Sequence, residues 1–203
     1  TGGMGAYSPS GLINFNLEKK IIDKIIRPTL KAIKDLGENY KGFLYAGLMI
    51  AADGTPKVIE YNCRFGDPET QPMMLRLQSD LVELIEAANR VELDKTTIEF
   101  DSRAAVGVVL AAAGYPGDYP KGDVISGLKV TYPDGQKIFH AGTKQVGDDV
   151  VTAGGRVLCA TALGHTVTQA QQAAYALVNE VSWQGVEFRT DIGYRAIERE
   201  QIK

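Results

Sequence analysis

Polar side chains concentrate in one segment that directly follows a run of apolar residues. Residues 60–70 read EYNCRFGDPET. Because side chains alternate across a strand, Glu60 and Asn62 are expected on one face, with Ile59 and Tyr61 on the other. A carboxylate and an amide carbonyl on a rigid strand are hard oxygen ligands of the kind that Mg²⁺ takes. Arg64, two residues further along, adds a planar donor group suited to phosphate or carboxylate.

The same segment has a simpler interpretation. Charged residues at the end of a strand commonly form a solvated turn whose surface ion pairs contribute little, and one Glu-x-Asn pattern is a weak signal. The position favours a site, because α/β proteins often place sites directly after an apolar strand. Asp67 and Glu69 continue the polar run around Pro68.

The first residues form a second candidate element, TGGMG. Glycine allows backbone amides to approach an anion closely. The segment matches neither the Gly-Lys-Ser/Thr ending of a phosphate-binding loop nor the Gly-x-Gly-x-x-Gly of a dinucleotide site. A flexible terminus is the alternative interpretation.

Nucleophilic and metal–thiolate chemistry is poorly supported. Cys63 and Cys159 are the only cysteines and form no Cys-x-x-Cys pair, so both are predicted to be buried thiols. The candidate bases His140 and His165 lie in the second half of the chain with no motif around them. A cysteine–histidine enzyme is therefore disfavoured.

The elements that must position these residues follow from apolar spacing. The first half predicts a helix with Asn16 as its cap, kinked or split at Pro28, then a hairpin around Asp53 and Gly54, then two helices. The predicted ranges are 17–36 for the long helix, 42–51 and 57–62 for the strands, and 72–77 and 80–91 for the helices. A polar stretch over 91–103 predicts a linker.

The second half predicts short strands with one main helix. Strands are expected over 104–113, 137–143 and 155–163. Thr168 and Gln171 suggest a capping box at the start of the helix, and a short helix is expected over 194–200. The fold class is thus α+β, with a first domain over 1–100 and a β-rich second domain over 101–203.

Composition excludes several classes of function. The 203 residues include 22 Lys and Arg against 25 Asp and Glu, a net charge of −3, which provides no field to attract nucleic acid or an anionic membrane. No apolar stretch approaches the length of a membrane span, and the first residues do not resemble a signal peptide. A cytoplasmic location is therefore predicted. The missing initiator methionine indicates a chain that begins within a longer one.

Several strings together resemble one enzyme family. They are TGGMGAYSP, GFLYAGLMI, KVIEYNCRFGDPETQPMMLRL, GYPGDYPKGDVI, HAGTK, GGRVLCATALG and DIGYRAIERE. They resemble the phosphoribosylamine–glycine ligases, and the resemblance runs from the first residue almost to the last. It implies an ATP-grasp enzyme of purine biosynthesis that joins glycine to 5-phosphoribosylamine through a glycyl phosphate, with ATP as co-substrate.

The resemblance also implies roles for individual residues. Glu60 and Asn62 match the family's ligands for Mg²⁺ or Mn²⁺, and Arg64 matches an arginine that stabilises the transferred phosphate. The implied substrate-binding residues are Gly2, Gly3, Met4, Gly5, Asp67 and Glu69. No general base is assigned, because positioning and exclusion of water matter more for the attack of the amine.

The resemblance finally implies that parts of the family's enzyme precede this segment. Residues 1–100 would be the carboxy-terminal half of an ATP-grasp domain with the metal and substrate residues, and 101–203 a small β-rich domain. Such a segment is expected to be inactive without the preceding amino-terminal part. The alternatives are a non-catalytic binding or structural module on the same scaffold, and another ATP-grasp ligase that joins a carboxylate to an amine.

Overall fold

The computed structural model describes residues 2–202, which form two compact units. The sheet unit contains the residues up to Pro9, residues 67–78 and those from Phe100 onward, and the hairpin unit contains residues 10–66 and 79–99. The chain passes between the units for the last time at Glu99 and Phe100, next to the domain boundary expected from sequence. The assignment of 1–100 and 101–203 to two family domains stays a prediction.

The sequence forms six α-helices and eight strands within residues 2–202. The helices are α1 Phe15–Ile21, α2 Arg27–Asp35, α3 Thr70–Arg76, α4 Leu81–Arg90, α5 Val167–Val178 and α6 Tyr194–Gln201. The strands are β1 Gly5–Ser8, β2 Tyr45–Ile50, β3 Pro56–Asn62, β4 Ala104–Ala111, β5 Gln136–His140, β6 Thr143–Val146, β7 Asp149–Thr152 and β8 Arg156–Gly164. A π-helical segment, Ile22–Ile26, joins α1 to α2, and a 3₁₀ turn spans Leu93–Lys95. The mixture confirms the α+β class.

The sheet unit is built on an antiparallel sheet with the strand order β1-β4-β8-β5. Every residue of β4 is buried. On one face, Val106 and Val108 share a core with Ala170 and Leu177 of α5. On the other face, Gly107 lies against Pro72 of α3. Helices on both faces explain why the strand is a continuous apolar run rather than an alternating one.

Some elements of the sheet unit differ from the sequence expectation. Strand β1 and the β6–β7 hairpin were not predicted, because each strand has only four residues and short polar strands carry little periodic signal. The cap of α5 is Thr166, two residues before the expected Thr168, since the hydroxyl of Thr166 accepts from the Gln169 amide at 3.1 Å. Thr168 instead donates its hydroxyl to Glu200 at 2.7 Å.

The hairpin unit contains one interrupted helix beside the β2–β3 hairpin. Asn14, not Asn16, caps α1 by accepting from the Leu17 amide at 2.9 Å. The chain stays helical from Phe15 to Asp35, and the disturbance predicted at Pro28 takes the form of a π-helical segment that ends just before α2, whose first turn contains Pro28.

One face of the β2–β3 hairpin is covered by this helix. The Tyr61 hydroxyl lies 2.7 Å from the hydroxyl of Thr29, and Lys20 donates to the Gly54 carbonyl of the turn at 3.0 Å. Side-chain alternation therefore directs Glu60 and Asn62 to the opposite face. Between residues 2 and 202, no helix combines the length and the apolar character needed to span a membrane.

Candidate active site

The end of β3 brings the two predicted metal ligands together. The Asn62 amide nitrogen donates to Glu60 Oε1 at 3.3 Å, so both side chains occupy one face of the strand, as alternation predicted. Glu60 is exposed and Asn62 is half-buried. The strand backbone fixes their separation, because Tyr45 pairs with Asn62 and Gly47 pairs with Glu60 in β2.

Gly47 provides the space that the Glu60 side chain uses. A Cβ at this position would lie 3.1 Å from Glu60 Cγ, closer than ordinary van der Waals contact. The strand register shifts between Gly47 and Leu48, which is a β-bulge directly beside Glu60. Bulges re-aim side chains next to functional sites, and this one was not predicted from sequence.

Arg64 follows the strand on a segment anchored by aromatic packing. Its Nη1 donates to the Phe65 carbonyl at 2.8 Å, and the side chain is exposed. The Phe65 ring packs on the Phe43 ring with centroids 3.9 Å apart. The Tyr40 hydroxyl donates to the Phe43 carbonyl at 2.7 Å, so the residue on which Phe65 packs is itself tethered.

The two cysteines lie in opposite environments. Cys159 is buried as predicted, and burial raises the pKa of its thiol to about 12. Cys63 is exposed, so the prediction that it is buried was wrong. It stands where β3 leaves the hairpin between two exposed or half-buried polar residues, and a strand end of this kind has no second layer to cover it. Burial, with a smaller contribution from neighbouring Cys63, raises the pKa of Tyr40.

The glycine-rich start is packed into the sheet unit rather than loose. Val109 donates its amide to the Met4 carbonyl at 3.1 Å, and Gly5 begins β1 opposite Val108. Gly2 is exposed with φ +59° and has open space around it. Gly3 has φ +75°, a conformation that favours glycine.

Asp67 is held by a residue that the sequence patterns did not indicate. Arg156 Nη2 donates to Asp67 Oδ2 at 2.8 Å, while Arg156 Nη1 donates to the Asp67 carbonyl at 2.9 Å and to the Gly3 carbonyl at 3.1 Å. Gln71 donates to Asp67 Oδ1 at a longer 3.5 Å. The structure therefore brings Gly3 and Asp67 together. Glu69 precedes α3, and its carbonyl accepts from Met73 at 3.3 Å.

Glu60 and Asn62 are the predicted metal ligands, and their side chains lie in contact. Across residues 2–202, no group of three or more His, Cys, Asp and Glu side chains could hold a metal ion. A carboxylate beside an amide oxygen still fits Mg²⁺ or Mn²⁺, because these ions accept one or two protein oxygens and complete their coordination with water and substrate phosphates. The contact between Glu60 and Asn62 therefore fits such an ion.

Family models match both parts of the chain. Residues 1–70 match the description "Phosphoribosylglycinamide synthetase, ATP-grasp (A) domain", and residues 105–195 match "Phosphoribosylglycinamide synthetase, C domain". The first of these matches places the chain in the ATP-grasp class.

Curated relatives agree over the whole segment. The chain is 61% identical over 203 residues to the phosphoribosylamine–glycine ligase of Vibrio cholerae, and 59% identical over 202 residues to that of Escherichia coli strain K12. The chain belongs to the phosphoribosylglycinamide synthetase family, which confirms the resemblance seen in its motifs. It spans about half the length of the relatives it matches, 47% in both cases.

Solved structures give the same result. The phosphoribosylamine–glycine ligase of Thermotoga maritima superposes with a TM-score of 0.80 at 38% identity, covering 95% of this chain and 46% of that one. The biotin carboxylase domain of Hydrogenobacter thermophilus 2-oxoglutarate carboxylase superposes with a TM-score of 0.64 at 15% identity, covering 98% and 46%. The second likeness shows a shared fold alone.

Proposed function

We propose that this chain supplies the metal-binding and substrate-binding part of an enzyme that ligates glycine to 5-phosphoribosylamine. The reaction consumes ATP and yields glycinamide ribonucleotide, ADP and phosphate. Glycine first takes the γ-phosphoryl group on its carboxylate. The amine of phosphoribosylamine then attacks the glycyl carbonyl, phosphate leaves, and the attacking nitrogen loses a proton. The observation that carries the proposal is the Glu60–Asn62 contact at the end of β3 in a chain of this family.

Glu60 and Asn62 would hold the divalent ion, either Mg²⁺ or Mn²⁺. For Asn62 to act as a ligand, its Oδ1 must replace the amide nitrogen that faces Glu60 here, which requires rotation of the amide group alone. A bound ion would neutralise charge on the ATP phosphates during phosphoryl transfer. The strand pairing keeps both ligands in place throughout.

Arg64 would stabilise the negative charge of the transferred phosphoryl group. Its guanidinium presents a planar set of donors that fits phosphate oxygens. The Phe65–Phe43 packing limits how far its backbone can move, and a preorganised donor costs little reorganisation as the reaction proceeds.

The residues of the sheet unit would bind the other reactants. Gly2, Gly3, Met4 and Gly5 offer backbone groups, and Asp67 and Glu69 offer carboxylates to substrate amine or hydroxyl groups. These side chains orient the amine and the glycyl group rather than transfer protons. A cytoplasmic location fits a reaction that consumes ATP.

The test measures phosphate release by the full-length protein encoded by the gene. Release should depend on ATP, glycine and phosphoribosylamine together. The Glu60→Gln and Asn62→Leu variants should shift the half-activating Mg²⁺ concentration by roughly 10- to 100-fold or more. Glu83→Gln is the control, because it removes an exposed carboxylate from α4 of the same unit.

Each other outcome has a distinct meaning. Unchanged metal dependence in both variants would refute the ligand assignment. Turnover with a different amine would identify another ATP-grasp ligase, and binding of ATP without turnover would identify a non-catalytic module.

A further inference from the structure

Arg156 connects two segments that are far apart in sequence but adjacent in the sheet unit. Its guanidinium, at the first residue of β8, bonds to Gly3 and Asp67, which lie 153 and 89 residues away. The Arg156 side chain is 25% exposed and that of Asp67 is 48% exposed. Partial burial and two further bonds to carbonyls distinguish this contact from an isolated surface ion pair.

The geometry requires an arginine at this position. Nη1 carries two hydrogens and directs one to each of two carbonyl oxygens, while Nη2 donates to the carboxylate. Lysine presents its three donors from one nitrogen and cannot reproduce this fork. A Cβ at Gly3 would lie 2.6 Å from Nη1, so a larger residue there would displace the guanidinium from these contacts.

We propose that Arg156 is a positioning residue for substrate binding: it fixes the glycine segment 2–5 and orients the Asp67 carboxylate. The inference rests on the proposed function, in which those residues contact substrate. Arg156 holds Oδ2 of Asp67, whereas the Gln71 bond to Oδ1 is long at 3.5 Å. Oδ1 is thus the oxygen that accepts a hydrogen bond from a substrate amine or hydroxyl group.

The experiment compares two conservative variants of the full-length protein. Arg156→Lys keeps the charge but loses the fork. Arg103→Lys is the matched control, because Arg103 also forms a bidentate pair with an aspartate in the sheet unit, Asp101, at 2.6 and 3.0 Å. Arg156→Lys should raise the KM of glycine or phosphoribosylamine at least 10-fold, because one or two charge-assisted hydrogen bonds are lost. The kcat and the KM of ATP should change less than 3-fold. Arg103→Lys should leave all of these constants within 2-fold, because neither Arg103 nor Asp101 is among the proposed substrate-binding residues.

Coupling to Asp67 tests the positioning role directly. Because Arg156 acts in part through Asp67, the rise in substrate KM of the Arg156→Lys/Asp67→Asn double variant should be smaller than the product of the two single rises. An equal rise in KM for Arg103→Lys, unchanged substrate KM values in Arg156→Lys, or multiplicative effects in the double variant would overturn the proposal.

Hydrogen exchange separates this inference from the proposed function. Amide exchange at residues 3–5 should be at least 10-fold faster in Arg156→Lys than in wild type, and unchanged in Arg103→Lys. Absent ligase activity in the wild type would refute the proposed function, whereas unchanged exchange at residues 3–5 would overturn the role of Arg156.

Discussion

The substitution Gly5→Ala tests why the start of β1 contains glycine. Gly5 is buried, and a Cβ there would lie 2.7 Å from three side-chain atoms of Ile192, which is fully buried. Ordinary contact begins at 3.4 Å, so the two groups must separate by 3.4 − 2.7 = 0.7 Å. Ile192 belongs to the buried core of the sheet unit, so the strain must be taken up by packed neighbours.

The expected loss of stability combines two effects. Overpacking of a buried position costs about 1–3 kcal/mol. Gly5 has no positive φ, so alanine fits its backbone and would by itself stabilise the fold by about 0.4–1 kcal/mol through the unfolded chain. The net result is a free energy of unfolding lowered by roughly 1–2 kcal/mol.

Urea unfolding followed by tryptophan fluorescence measures this change. Trp183 is the single tryptophan and is buried in the sheet unit, so its emission reports the unit that contains Gly5. Ile192→Val removes one methyl group from the crowded side and should relieve at least about 0.5 kcal/mol of the strain in the double variant. Ile138→Val, at a buried position of β5, is the control and should add independently.

Two outcomes would refute this reasoning. Wild-type stability for Gly5→Ala would show that Ile192 does not require glycine here, and additivity with Ile192→Val would place the strain elsewhere. If the double variant regains stability but does not ligate, Gly5 also contacts a substrate.

Two further predictions concern titrating groups. Native protein should react with iodoacetamide at the exposed Cys63 and not at Cys159, whose buried thiol has a pKa of about 12; mass spectrometry showing equal labelling of both would contradict the burial of Cys159. Hydrogen bonds from Arg103 lower the pKa of Asp101 from 3.8 to about 2, so its stabilising contribution is complete above the unfolded value and is lost as the pH falls through the folded one. As the pH falls through that range, the free energy of unfolding measured in urea should therefore decrease less in Asp101→Asn than in the wild type. An equal decrease in both proteins would exclude Asp101 as the group responsible.

Local patterns predicted the parts of the fold whose causes are local. Glu60 and Asn62 share a face because strand alternation depends on neighbouring residues alone, and the α-helical pattern changes to a π-helical segment before Pro28 because proline constrains the turn that contains it. The exposure of Cys63 was missed because burial depends on what packs against the strand. The four-residue strands were missed because four residues are too few to show a clear alternation of apolar and polar side chains.

Arg156 could not be predicted by such reasoning. It is the first residue of an otherwise apolar strand, and its partners lie 89 and 153 residues away. No periodicity or spacing relates positions at such separations. The chain also passes between the two units more than once. Residues 67–78 lie in sequence between the two segments of the hairpin unit but belong to the sheet unit. The polar run from 60 to 70 is divided between the two units, because its first residues belong to β3, which pairs with β2, whereas the residues that follow lead into α3, whose Pro72 packs on Gly107 of β4.

The glycines near the candidate site also change how mutations there must be interpreted. At Gly3, Gly5 and Gly47 the space of a Cβ is occupied or crowded by the side chains of Arg156, Ile192 and Glu60 respectively. A larger residue at Gly3 or Gly47 would displace a guanidinium or a carboxylate with an assigned role, without any contact between the glycine and a ligand. At Gly5, whose neighbour Ile192 has no assigned role, loss of activity therefore supports a direct contact with substrate only if activity stays lost when Ile192 is shortened to restore the space.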